Sequence, residues 1–163
     1  MAYEYMEDAL DGTVAYIAAG LEATLAAVEI ARSVTVPRWG TRLSVSGTGQ
    51  EYSGQYPQII VAPAGTEPSY VDEGQSWADE HWNYHLVDIL TTQMGSDWEQ
   101  VERDLLRYDE AYQVLVSADY TFGDRFNRVR LGSMDPAGIL EAIDERTMKQ
   151  TLIRTLEVRV FAG

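Results

Sequence analysis

Residues 97–116 constrain the fold of this chain most, because they have the pattern of one amphipathic helix between strand-like segments. Ser96 and Glu99 match a capping box, in which each side chain accepts a hydrogen bond from the other residue's amide. The apolar side chains then recur at alternating three- and four-residue steps, the spacing of one helix face: Trp98, Val101, Leu105, Tyr108, Tyr112 and Leu115. We therefore predict a helix capped at Ser96 that packs one face on a sheet.

A longer helical stripe lies in residues 4–33, and Pro37 marks a stop beyond its end. Glu22 and Glu29 lie on its polar face and interrupt the apolar segment, so we expect a packed helix and not a membrane span. The stripe comprises Met6, Leu10, Val14, Ile17, Leu21, Leu25 and Val28.

Four further segments have the composition or alternation of strands. They are residues 56–62, 81–92, 126–133 and 150–161, with 41–45 as a short additional candidate. In the last segment Leu152, Leu156, Val158 and Val160 share one face, while Thr155, Glu157 and Arg159 share the other.

Two further predictions concern the third of these strands and the residues that follow it. We expect Phe126 to share a face with Arg128 and Arg130, opposite Val129. Asp135 and Pro136 indicate a turn, and residues 137–144 are either a short helix or an extended excursion.

The order helix, strand, strand, helix, strand, strand predicts an α+β fold. We expect a mostly antiparallel sheet of about four strands, with the long N-terminal helix and the mid-chain helix on one face. The length of 163 residues fits a single domain, 1–163. Residues 46–55 and 63–80 are predicted loops; the second holds two prolines, two glycines and five acids and should be long and exposed.

Charge and cysteine content exclude several classes of function. The formal net charge is −14, from 26 acids against 12 bases, so nucleic acid and anionic membranes are unfavourable ligands. Solubility alone also explains such acidity. The absence of cysteine excludes disulfides and thiolate metal sites and fits synthesis in a reducing cytoplasm.

His81 and His85, beside Asp79 and Glu80, are the best candidates for an enzyme or metal site. Residues four apart in a strand are separated by about 13 Å, which is too far for one ion. The sequence also lacks the common phosphate-loop and nucleophile-elbow motifs. We therefore expect no catalytic residue, no metal ligand and no cofactor.

Exposed aromatic and basic residues suggest a docking surface instead. Aromatic side chains in predicted loops are typical interface anchors, although each ring can equally pack on its own sheet. A small basic cluster can meet an acidic patch on a neighbouring copy or offset a helix dipole. The candidate interface residues are Arg32, Arg38, Trp39, Arg42, Tyr52, Tyr70 and Trp77.

The chain resembles the tail terminator (tail completion) proteins of long-tailed bacteriophages and related head–tail joining proteins. The resemblance covers most of the chain except residues 63–80, which match nothing in that pattern. It rests on element order and on short motifs: the helix from Met6 to Val28, the YPQIIV strand at 56–61, the strand 85–90, Arg107-Tyr108 followed by Ala111, and the strand 152–161.

The resemblance implies a structural virion protein at the head–tail junction, made in the host cytoplasm. Such a protein forms a ring, commonly a hexamer, which ends polymerisation of the tail tube and joins the tail to the neck. Its partners would be copies of itself, the tube protein and the connector or neck protein. DNA would pass through the channel without sequence-specific binding, and six copies with a charge of −14 each would repel its phosphates.

Three alternatives stay open from the sequence. The chain is another head–tail connector or neck protein, a small metal-dependent enzyme that uses the histidines, or an acidic binding protein such as a DNA mimic. A discrete ring-sized oligomer in solution favours the two virion functions, whereas a stable monomer favours the other two.

Overall fold

The computed structural model describes residues 5–39, 43–45, 56–70 and 81–161, and for 43–45, 67–70, 81–82, 137–141 and 161 it describes the backbone alone. Within these ranges the chain forms two helices and five strands. In chain order the elements are α1 (Met6–Arg32), β1 (Leu43–Val45), β2 (Gln58–Tyr70), β3 (His81–Gly95), α2 (Trp98–Ala118), β4 (Arg128–Ala142) and β5 (Met148–Phe161).

The strands form one sheet in the order β1-β2-β3-β5-β4. Strands β2, β3, β5 and β4 pair antiparallel, and the short β1 adds a parallel edge to β2. The predicted α+β class and the four-stranded antiparallel sheet are therefore confirmed. The last strand, β5, lies between β3 and β4, so α2 connects two strands that are not neighbours.

Both helices pack on one face of the sheet, as predicted. Every apolar position in the α1 stripe is buried or packed against the core, and α2 contributes Leu105, Tyr108 and Tyr112. From the sheet come Val87 and Ile89 of β3 and the predicted β5 face, whose four residues are all at most 2% exposed. Trp98 is the exception to the α2 stripe, because its side chain is 50% exposed.

Helix α1 is long and apolar enough, by length and composition, to cross a membrane. In the fold its stripe lies against α2 and the sheet, and the remaining face is rich in exposed alanine. Ser33 ends the helix in the left-handed conformation, with φ of 54°. The amide of Val34 then bonds the carbonyl of Glu29 at 3.1 Å, which satisfies an orphan carbonyl of the last turn.

The predicted loop at 63–80 is wrong in its first part, because β2 continues to Tyr70. The ladder with β3 shifts register between Pro63 and Gly65, where a bulge accommodates a residue that has no N–H to donate. Gly65 has a φ of +139°, a conformation open mainly to glycine. Tertiary pairing thus overrides the turn composition, and residues 71–80 lie outside the described ranges.

The capping box at Ser96 is also wrong, by one residue. Asp97 is the N-cap, and its carboxylate accepts a hydrogen bond from the amide of Gln100 at 3.2 Å. Helix α2 therefore begins at Trp98, and Asp97 also places negative charge at the positive end of the helix dipole.

Strand β4 differs from its prediction at both ends. It begins at Arg128 and runs to Ala142 through two irregularities, the second of which includes Pro136, so the predicted turn is absent and the extended alternative for 137–142 is the right one. Phe126 precedes the strand and is 5% exposed. Its placement with Arg128 and Arg130 was wrong, because the ring packs with the core cluster under α1.

Candidate interaction surfaces

Arg38 fastens the segment that follows α1 back onto that helix. Its Nε donates to Glu22 at 2.9 Å, its Nη2 donates to Glu29, and its Nη1 donates to the carbonyl of Val36 at 2.8 Å. The hydrogen bond from Arg38 is the largest of the effects that lower the pKa of the Glu29 carboxyl. This candidate interface residue is therefore already engaged within its own subunit.

Arg32 joins the end of α1 to α2. Its Nε donates to Glu110 at 2.6 Å, and its side chain is 54% exposed. The hydrogen bond to Glu110 raises the pKa of Arg32. An ion pair this exposed contributes little stability, so Arg32 remains accessible to a partner.

Trp39 and Pro37 show how the segment after α1 is held. Trp39 is half-buried against the core, which agrees with local packing of its ring. The Tyr108 hydroxyl donates to the carbonyl of Pro37 at 2.7 Å, and burial raises the pKa of Tyr108. Tyr70 lies in β2 and not in the loop expected from sequence. Arg42, Tyr52 and Trp77 fall outside the described residues.

The two histidines do not converge. His85 is 2% exposed, and its Nδ1 lies 2.8 Å from the Thr66 hydroxyl. His81 lies in the same strand, β3, about 13 Å away at the rise of extended chain. Across the described ranges no group of three histidine, aspartate or glutamate side chains is placed to hold a metal ion.

A buried ion pair that sequence reasoning missed lies between α2 and the sheet. Arg154 of β5 donates to both carboxylate oxygens of Asp109, at 2.7 and 2.6 Å. Its third nitrogen donates to the carbonyl of Gly132 in β4 at 3.2 Å, and Gln113 donates to Asp109 at 2.9 Å. The side chains of Arg154 and Asp109 are only 8% and 3% exposed, respectively. A charged residue between Leu152 and Leu156 on the core face of β5 was the available signal.

The other face of the sheet has no described helix or strand over it, and we call it the open face. Ladder pairing places Ile60, Leu90 and Ile153 in one row across three strands, all of them partly exposed. Asp88 and Thr155, in the next row of β3 and β5, hydrogen-bond at 2.6 Å. An apolar row of this kind on an uncovered sheet is typical of a docking surface.

At one end of the open face lies a group of arginines, which we call the arginine cluster: Arg128, Arg130 and Arg159. Together with Tyr84 and Glu157 they line a shallow pocket. Arg130 pairs with Glu157, whereas Arg128 forms no ion pair within the described ranges and is exposed. Three arginines and one glutamate therefore line this corner.

The helices carry the opposite charge. Helices α1 and α2 contain ten acids and three arginines, a net charge of −7. Because the helices and the open face lie on opposite sides of the sheet, the described part of the molecule has an acidic side and a locally basic corner. Sequence order conceals this separation, since acids and bases are mixed along both α2 and β5.

The comparisons with known proteins identify no family. No protein-family model matches the chain, and a search of curated proteins found no match.

Proposed function

We propose that this chain is a structural virion protein that forms a ring on the tail tube of a long-tailed bacteriophage. The ring ends tube polymerisation and joins the tail to the neck. Its partners in this proposal are copies of itself, the tube protein and the connector protein. The proposal starts from the resemblance in sequence, and the element order of the fold agrees with the order on which that resemblance rests.

The observation that carries the proposal is the partly apolar open face of the sheet, over which no described helix or strand lies. The fold buries one sheet face under its own helices, while Ile60, Leu90 and Ile153 stay accessible on the other. Contiguous apolar surface on a sheet marks a site of interaction with a partner. A subunit that is completed by assembly accounts for it directly.

Charge distribution supports the channel part of the proposal. The exposed acids of α1 and α2, whose sequences together carry a net charge of −7, make the helix side the described surface best suited to repel phosphates. In the proposed ring, the helix acids that make no contact between copies face the channel, and DNA slides past without being retained. A ring with a basic channel wall would contradict this part.

Electron microscopy of the purified protein mixed with tail tubes tests the proposal. We expect a ring at the end of each tube and no further elongation when tube protein is added. A protein of matched size and net charge that lacks this fold serves as the control. Bare tube ends and unchanged elongation would contradict the proposal, whereas binding to the connector alone would favour a neck protein.

A further inference from the structure

The arginine cluster contains a pairing that is unfavourable within a single subunit. Arg128 of β4 and Arg159 of β5 are directly opposite each other across the ladder, and like charges in that position repel. Arg130 is paired with Glu157, but no described carboxylate pairs with Arg128. An exposed arginine held against a second arginine is a suitable acceptor site for an external carboxylate.

We propose that the arginine cluster binds the acidic start of α1 on a second copy of this chain. There Glu7 and Asp11 are exposed, one helical turn apart, and neither forms an ion pair with a described residue. Two carboxylates at this spacing lie on the same side of a helix and can approach the exposed Arg128 together. This inference rests on the proposed ring and names the contact that builds it.

The geometry makes this contact head-to-tail. The basic corner is on the open face of the sheet, whereas Glu7 and Asp11 belong to the helix that covers the opposite face. When two different surfaces complement each other, a growing assembly always has one surface of each kind free to bind a further copy. Such heterologous contacts close into a ring or continue as a filament. They do not form a symmetric dimer, in which two identical patches would meet.

Three full-length variants test the contact by sedimentation velocity at low salt. Arg128→Glu should weaken self-association at least tenfold. The control, Arg146→Glu, reverses the charge of an arginine in the exposed turn between β4 and β5. It changes the net charge by the same amount but lies outside the proposed contact, so association should stay unchanged. Circular dichroism establishes that each variant is folded.

The double variant Glu7→Lys with Asp11→Lys separates specific contact from general repulsion. It brings the net charge of the chain from −14 closer to zero, so general repulsion predicts stronger association. Our contact predicts weaker association instead. Strengthened association would overturn the inference.

Two other outcomes would also overturn it. The first is a wild-type chain that self-associates while Arg128→Glu has no effect; capping of tail tubes by the wild-type protein then still supports the proposed function by itself. The second is a wild-type chain that stays monomeric but binds duplex DNA through Arg128, which would assign the cluster to phosphate.

Discussion

At the scale of single residues, the ion pair between Asp109 and Arg154 is the most consequential contact in the subunit. It lies between α2 and the sheet and connects α2, β4 and β5 through three hydrogen bonds of Arg154. A buried pair of this kind adds little net stability over an apolar replacement, but losing one partner leaves the other charge buried alone. Its physical role is to fix how α2 sits on the sheet.

Replacing Asp109 by Asn should therefore destabilise the protein by about 3–5 kcal/mol. Urea unfolding measures the change. The matched control is Arg130→Gln, which breaks the exposed pair with Glu157 and should cost less than about 1 kcal/mol. Equal effects of the two substitutions would contradict the structural role of the buried pair.

The carboxyl of Glu29 predicts a pH dependence. Hydrogen bonds from Arg38 and from the amide of Val36 lower its pKa below the ordinary 4.5. Stability from this group is thus present above pH 4.5 and is lost as the pH falls through the lowered pKa. The melting temperature of the wild-type protein should exceed that of Glu29→Gln at pH 7, and this difference should narrow below pH 4.5.

Thermal melts between pH 7 and pH 3 test this. Glu102→Gln, at an exposed position of α2, is the control and should give no gap that changes with pH. A difference between wild type and Glu29→Gln that stays constant over the whole range would refute the role of Glu29.

At the scale of elements, close approach decides how α1 docks. Gly12 faces the ring of Phe126, and a Cβ there would lie 2.5 Å from Cζ. Gly20 faces only the end of the Leu115 side chain, at 2.7 Å. The glycines weaken α1 as an isolated helix, yet the first allows the helix to lie directly on the turn before β4.

Gly12→Ala should accordingly destabilise the fold by about 1–3 kcal/mol, since a rigid ring wedged under the helix cannot move aside. Gly20→Ala should cost less, because the end of a leucine can rotate and the helix gains about 1 kcal/mol of propensity. Thermal denaturation of both variants measures the difference. If Gly20→Ala were the more damaging of the two, the packing of Phe126 would not be the reason.

At the scale of the whole molecule, the proposed assembly depends on a separation of charge. The helices bear a net charge of −7, whereas the arginine cluster is locally positive. Attraction between exposed groups extends only over about 10 Å at 0.1 M salt. Assembly that depends on such groups must therefore respond to ionic strength.

We expect self-association of the wild-type protein to weaken as sodium chloride is raised from low to high concentration. Sedimentation velocity at several salt concentrations measures it, and Arg128→Glu should show a smaller response because part of the attraction is already gone. Association that strengthens steadily with salt would instead point to the apolar row of the open face as the main contact.

The sequence by itself determined the type of both helices and of the main strands, and the approximate bounds of the helices, β3 and β5. The steps of three and four in α1 and α2, and the alternation in β5, are local periodicities that side-chain burial imposes on each element. They were sufficient to predict an α+β fold with both helices on one face of the sheet.

Only the tertiary structure decided which elements meet. The continuation of β2 through Pro63 depends on pairing with β3. The position of β5 between β3 and β4 depends on ladders between distant segments. The partner of Arg154 is a residue 45 positions away in the chain. The same holds for the arginine cluster, where Arg128 and Arg159 become neighbours only across the ladder. Local periodicity carries no information about contacts between residues far apart in the chain, and those contacts form the candidate surface.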